Sequence, residues 1–141
     1  MHRDDISHDE QEQTLLLVDD EVNVLSALKR VLRRNGHRIL TATGAHEALD
    51  ILVRENVDVI MSDQRMPGMS GTELLSKVQE THPETVRMVL SGYADVDAIK
   101  QGIDRGAIYK VLTKPWNDEE LRQQVQDAFR MHKSRSRLSE K

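Results

Sequence analysis

Residues 57–63 read Val57-Asp58-Val59-Ile60-Met61-Ser62-Asp63, and this stretch decides the fold. After Asp58 the run is apolar as far as Ser62, without the alternation that a half-solvated strand shows. A strand of this kind suits a sheet covered on both faces. Upstream, Thr14–Val18 is a second short apolar run, and Arg38–Ala42, Val86–Leu90 and Ala107–Leu112 supply three more strand candidates. Between them the spacing changes to that of helices. Val24, Leu25, Leu28, Val31 and Leu32 mark the first, and Ala45, Ala48, Leu49 and Leu52 the second. Glu73–Glu80 is the third, Asp95–Asp104 with Gly102 inside it the fourth, and a long fifth runs from Asp118 into the 130s behind an Asn117 cap. Asn35-Gly36 and His82-Pro83 punctuate the first and third.

Five βα units in succession predict a parallel sheet with helices on both faces. Right-handed crossovers leave few topologies, and at this length the natural one is the flavodoxin-like (βα)5 three-layer sandwich with strand order 2-1-3-4-5.

The bulk numbers agree with one soluble globular domain: 141 residues, 38% hydrophobic and 31% charged, with so few aromatics that the core must be aliphatic. There is no cysteine, which excludes disulfides and thiolate metal sites and fits a reducing cytoplasm. No apolar run is long enough to span a membrane. A net charge of -4 argues against a dedicated nucleic-acid domain.

The informative residues sit where strands end. Asp19 and Asp20 follow the first strand, and Asp63 follows the third. In the order 2-1-3-4-5 the topology reverses between strands 1 and 3, so these acids converge at the crevice where such sheets bind ligands. Two like charges about 4 Å apart repel by roughly 4 kcal/mol at an effective dielectric near 20. Three carboxylates in one pocket must therefore protonate or hold a cation. An all-oxygen set without Cys or nearby His favours Mg²⁺, with Mn²⁺ as the alternative. Such a site suits phosphoryl transfer, with a carboxylate available as nucleophile. A double Asp at a strand end is about as often a plain helix cap. Asp63 tilts the balance, because a second strand end then carries an acid at the same edge. Ser91 after the fourth strand and Lys114 after the fifth mean little singly. Together they add a hydroxyl donor and an ammonium at successive strand ends.

These residues resemble the receiver domains of two-component response regulators. The matching motifs are Leu17-Val18-Asp19-Asp20-Glu21, Ser62-Asp63-Gln64-Arg65-Met66-Pro67-Gly68-Met69-Ser70-Gly71, Leu90-Ser91-Gly92-Tyr93 and Thr113-Lys114-Pro115-Trp116. They stand in family order, with 43, 28 and 23 residues separating Asp20, Asp63, Ser91 and Lys114. The resemblance implies that Asp63 is the phosphoacceptor. It implies that Asp20, Asp63 and the backbone carbonyl of Arg65 bind Mg²⁺, with Asp19 assisting through a water. It implies that Ser91 and Lys114 engage the phosphoryl group and that Lys114-Pro115 is a cis bond. The partners it implies are a histidine kinase or phosphotransfer protein as donor and a downstream output domain or protein. It allows a homodimer through the fourth helix, fifth strand and fifth helix. Nucleic acid would be reached only through an output domain outside this chain, and the protein would be cytoplasmic and not an enzyme in the ordinary sense. Within the family, the variants Gln64-Arg65-Met66-Pro67 and Lys114-Pro115-Trp116 resemble a subclass joined to larger output modules.

Three positions depart from the common pattern. The family's frequent aromatic switch residue is replaced by Val111, with Tyr109 expected on the same strand face by period two. Arg65 and Tyr93 flank the path of the hydrolytic water in the family, and their bulk predicts a long-lived phosphorylated state. The alternative function is an aspartyl-nucleophile phosphatase of the dehalogenase type, which expects an acid where Arg65 stands.

The domain expectation is a disordered tail over 1–13, the receiver over 14–130, and a basic helical extension or linker over 131–141. All six histidines are expected at the surface, since none pair at ligand spacing.

Overall fold

The structure, a computed structural model, describes residues 13–92 and 95–139. The expected tail and Tyr93 therefore fall outside the described residues, apart from Gln13. Five parallel strands, β1 (Thr14–Val18), β2 (Arg38–Ala42), β3 (Val59–Asp63), β4 (Val86–Ser91) and β5 (Lys110–Thr113), form one sheet in the order β2-β1-β3-β4-β5. They alternate with helices α1 (Val22–Leu32), α2 (Ala45–Arg54), α3 (Gly71–Thr81), α4 (Val96–Asp104) and α5 (Asp118–Ser139). A short 3-10 turn, Arg33–Asn35, extends α1 and ends at Gly36, whose φ of 88° is the left-handed conformation that glycine adopts freely.

The flavodoxin-like expectation holds, and the burial pattern explains it. Every residue of β1, β3 and β4 is buried, as central strands between two helical layers must be. One layer packs α1 and α5 on Leu15, Leu17, Met61, Met88 and Leu90. The other packs α2, α3 and α4 on Leu16, Val18, Ile60 and Val89. Period two divides each central strand between the two cores.

Several boundaries differ from the sequence expectation. β3 starts at Val59 and takes in Asp63, and β5 is Lys110–Thr113 rather than Ala107–Leu112. The second shift matters, because Tyr109 precedes the strand and escapes its period. It packs with the α1/α5 core, whereas Val111 packs with the opposite one, so the two do not share a face. Tyr109 does not stand in for an aromatic at position 111. Helix α3 begins at Gly71, two residues earlier than expected, because Ser70 and Glu73 form a reciprocal capping box.

The histidine expectation also needs correction. His37 stacks on Phe129 of α5, with ring centroids 3.7 Å apart and an interplanar angle of 14°, and its Nδ1 is buried with no hydrogen-bond partner. Burial holds its pKa below the usual histidine value. His132 of α5 places Nε2 3.4 Å from Asp58 Oδ1 at the entry to β3.

At the end of the sheet where strands begin, Arg87 of β4 is buried. Its guanidinium donates to the carbonyls of Pro83, Thr85, Gly106 and Ala107, at 2.8 to 3.1 Å. Four backbone oxygens thus solvate a buried cation and tie the α3–β4 turn to the α4–β5 turn.

Candidate phosphoacceptor site

The opposite end of the sheet carries the acids. β1 delivers Asp19 and Asp20, and β3 ends on Asp63 itself. One carboxylate oxygen from each of the three lies within 4.8 Å of the others. Among the described residues this is the one group with the spacing to hold a metal ion. Asp19 and Asp63 are buried, while Asp20 is exposed at the rim.

Helix α1 has Glu21 as its N-cap with no side-chain cap hydrogen bond, so Asp19 is not a plain helix cap. Its Oδ1 accepts the Glu21 N–H at 2.8 Å, at the start of α1. Its Oδ2 is buried with no hydrogen-bond partner. Burial raises the Asp19 carboxyl above the usual range, and the charges of Asp63 and Asp20 add to that. The Glu21 hydrogen bond and the Lys114 charge oppose it.

Lys114, one residue beyond β5, supplies the cation. Its Nζ is 2.6 Å from Asp63 Oδ1 and 3.7 Å from Asp19 Oδ2. Burial alone would lower the ammonium pKa. The hydrogen bond and charge of Asp63, helped by Asp19 and Glu21, outweigh burial and hold it above its ordinary value. One ammonium against three carboxylates leaves negative charge in excess, and the buried Asp19 Oδ2 has the Lys114 ammonium at 3.7 Å but accepts no hydrogen bond. Oxygen donors, excess negative charge and an unsatisfied buried lone pair are the donor set of a hard divalent cation.

Ser91 closes β4, one position past the level of Asp63, which pairs with Leu90. The Ser91 hydroxyl donates to the Gly92 carbonyl at 2.9 Å. The Lys114-Pro115 bond is cis. Trp116 follows, half-buried, with Nε1 donating to Asp118 Oδ1 at 3.1 Å. Asn117 caps α5 through the Glu120 N–H, as its sequence position predicts. The structure thus gathers Asp19, Asp20, Asp63 and Lys114. Arg65 is in the loop after Asp63, and its exposed side chain turns to Asp95, with Nε 3.1 Å from Asp95 Oδ2. That ion pair joins the β3–α3 loop to the start of α4.

Sequence reading passed over Gln64. It is buried beside Asp63 and fastens the β3–α3 loop through Thr72. A polar residue directly after a buried strand was the available signal. It was easy to miss because the residue looks like the first of an exposed loop.

Comparison with known proteins agrees with this geometry. The family model for the response regulator receiver domain matches residues 15–126. The hydrogenase transcriptional regulatory protein HoxA of Cupriavidus necator is 43% identical over 119 residues, covering 84% of this chain and 24% of its own length. Among solved structures, a protein of Neptuniibacter caesariensis superposes with a TM-score of 0.86 at 38% identity, covering 89% of this chain and 93% of its own. The signal receiver domain of an HD domain-containing protein of Pseudomonas fluorescens Pf-5 gives 0.83 at 32%, covering 87% and 98%. The chain spans about a quarter of the length of the first curated relatives it matches. No helix among the described residues is long and apolar enough to cross a membrane. The match over most of the chain decides against the dehalogenase-type alternative, and this protein belongs to the response regulator receiver domain family.

Proposed function

We propose that Asp63 accepts a phosphoryl group from a phosphohistidine of a kinase or phosphotransfer protein, and that Asp19, Asp20, Asp63 and the Arg65 carbonyl hold Mg²⁺ for that reaction. The observation that carries this reading is the convergence of three carboxylates within 4.8 Å around a Lys114 ammonium 2.6 Å from Asp63. An Asp63 oxygen attacks phosphorus, the P–N bond to the donor imidazole breaks, and the imidazole leaves and takes a proton from solvent. Mg²⁺, when bound, neutralises charge on the transferring oxygens. Lys114 already pairs with the acceptor carboxylate and would pair with the phosphoryl oxygens after transfer. Ser91 would turn its hydroxyl from the Gly92 carbonyl to the same group.

The test is incubation of the chain with Mg²⁺ and acetyl phosphate, read by intact mass. A gain of one phosphoryl mass that needs Mg²⁺ and is absent in Asp63→Asn supports the assignment. No gain in the parent chain refutes it.

The output of this switch is read as a change of binding surface, and not as turnover of a substrate. Helix α4 favours that reading, since it buries only Ile99 and Gly102 and leaves Val96 and Ile103 exposed. A partner, an output domain or a second copy would cover the α4–β5–α5 face. Residues 14–130 would form the receiver unit, with 131–141 leading out of it, in a cytoplasmic protein. Arg65 and Tyr93 would screen the phosphoryl group from water, and a half-life of only seconds, unchanged when both are truncated, would end that part of the proposal.

A further inference from the structure

The β3–α3 loop is closed by one side chain. Gln64 is 4% exposed, and its amide is used at both ends on the same residue, eight positions on. Its Oε1 accepts the Thr72 N–H at 2.9 Å, and its Nε2 donates to Thr72 Oγ1 at 3.1 Å. Its backbone carbonyl accepts the Gly71 N–H at 2.9 Å, and its own N–H donates to the Leu90 carbonyl at 3.1 Å. One residue therefore fastens the end of β3 to the end of β4 and to the first turn of α3. Residues 65–70 hang between these fixed points.

We propose that Gln64 is a positioning residue for the metal site. By closing the loop on Thr72 it holds the Arg65 carbonyl and the Asp63 carboxylate in register to receive Mg²⁺. The inference rests on the metal-site reading above and extends it to a residue with no ligand atom of its own. Three observations point the same way. First, the leading N–H groups of α3 are all taken: Gly71 and Thr72 by Gln64, and Glu73 by Ser70 Oγ at 3.2 Å. Helix starts normally leave such groups open, so the loop has no loose end at which to fray. Second, a Cβ at Gly71 would run into the backbone carbonyl oxygen of Asp63, so α3 is seated directly on the acceptor's main chain. Third, the buried Gln64 amide makes both of its side-chain hydrogen bonds to Thr72, a pairing that an apolar side chain cannot make. A buried amide that offers one donor and one acceptor to a single residue serves placement. Glutamate could not donate and would bring a fourth charge to the acidic cluster.

The test is a Mg²⁺ titration of the full chain, followed by the backbone amide NMR shifts of residues 64–72. Gln64→Met keeps the length and loses both polar atoms. Thr72→Val loses the hydroxyl and keeps the N–H. Val78→Ala, buried further along α3, is a packing control. We expect Gln64→Met to raise the Mg²⁺ Kd about tenfold, in line with residues that orient metal ligands. Thr72→Val should raise it less, in the same direction, and Val78→Ala should leave it unchanged while lowering the urea midpoint. Wild-type Kd values in both Gln64→Met and Thr72→Val overturn the proposal. So does a control that shifts Kd as far as Gln64→Met. Should Gln64→Met fail to fold, Thr72→Val decides alone, and an unchanged Kd there is fatal. A parent chain with no saturable Mg²⁺ response overturns the metal site itself, and with it this proposal. That failure is seen before any substitution is made.

Discussion

The two ends of the sheet treat buried charge in opposite ways. Where the strands begin, the Arg87 guanidinium donates to four carbonyl oxygens. Where they end, Asp19 keeps a buried oxygen that accepts no hydrogen bond, among two other carboxylates and a single ammonium. A satisfied buried ion braces the fold. An under-satisfied one lowers stability and leaves a place for a ligand. The contrast gives each end a different response to substitution.

The largest effect belongs at the satisfied end. Arg87→Ala strands four carbonyls and opens a cavity, so we expect a loss of about 3–4 kcal/mol, read as a fall in urea midpoint at unchanged slope. The folded fraction should still take up a phosphoryl group on Asp63. A loss below about 1 kcal/mol would mean that water does the work of the guanidinium.

At the other end, Asp19→Asn should leave the metal-free chain at least as stable as the parent, because it removes a charge from a crowded set. What it should abolish is stabilisation by Mg²⁺, about 2.7 kcal/mol at a hundredfold excess over Kd in the parent. A thermal or urea titration with and without Mg²⁺ separates the two. A variant both destabilised and still stabilised by Mg²⁺ would erase the contrast.

A smaller effect sharpens the comparison along α5. His37 has a lowered pKa in the fold, so the unfolded chain takes up a proton first as pH falls. Stability is whole above the unfolded value near 6.5 and declines as pH drops below it toward the folded value. Urea midpoints at pH 7 and pH 5.5 should fall further in the parent than in His37→Phe, which keeps the stack on Phe129. The comparison between the parent and His37→Phe carries the result.

The smallest effect is at the surface. Arg65→Gln or Asp95→Asn breaks an exposed ion pair and should cost under about 1 kcal/mol, less in high salt. A larger loss would make that pair part of the frame.

Much of this was legible in the chain. The apolar β1, β3 and β4 announce burial on both faces. The order of acids, hydroxyl and amine at successive strand ends announces the crevice. What stayed hidden depends on contacts across the fold. Nothing near His37 in sequence shows that Phe129, 92 positions on, lies against it. Nor does anything in the sequence show that the turns at 83–85 and 106–107 close over Arg87. Tyr109 misled because period two applies only inside a strand, and β5 begins one residue later. The early start of α3 was within reach, since Ser70 and Glu73 have the spacing of a capping box.

The chain's single tryptophan gives the molecule a spectroscopic property of its own. Trp116 stands two residues past Lys114, half-buried, its indole tied to Asp118. Emission excited at the red edge of the protein spectrum therefore comes from one spot, two residues past Lys114, and from nowhere else. A change in that light reports on the Lys114 turn alone, and a rearrangement confined to the Arg87 end passes in the dark.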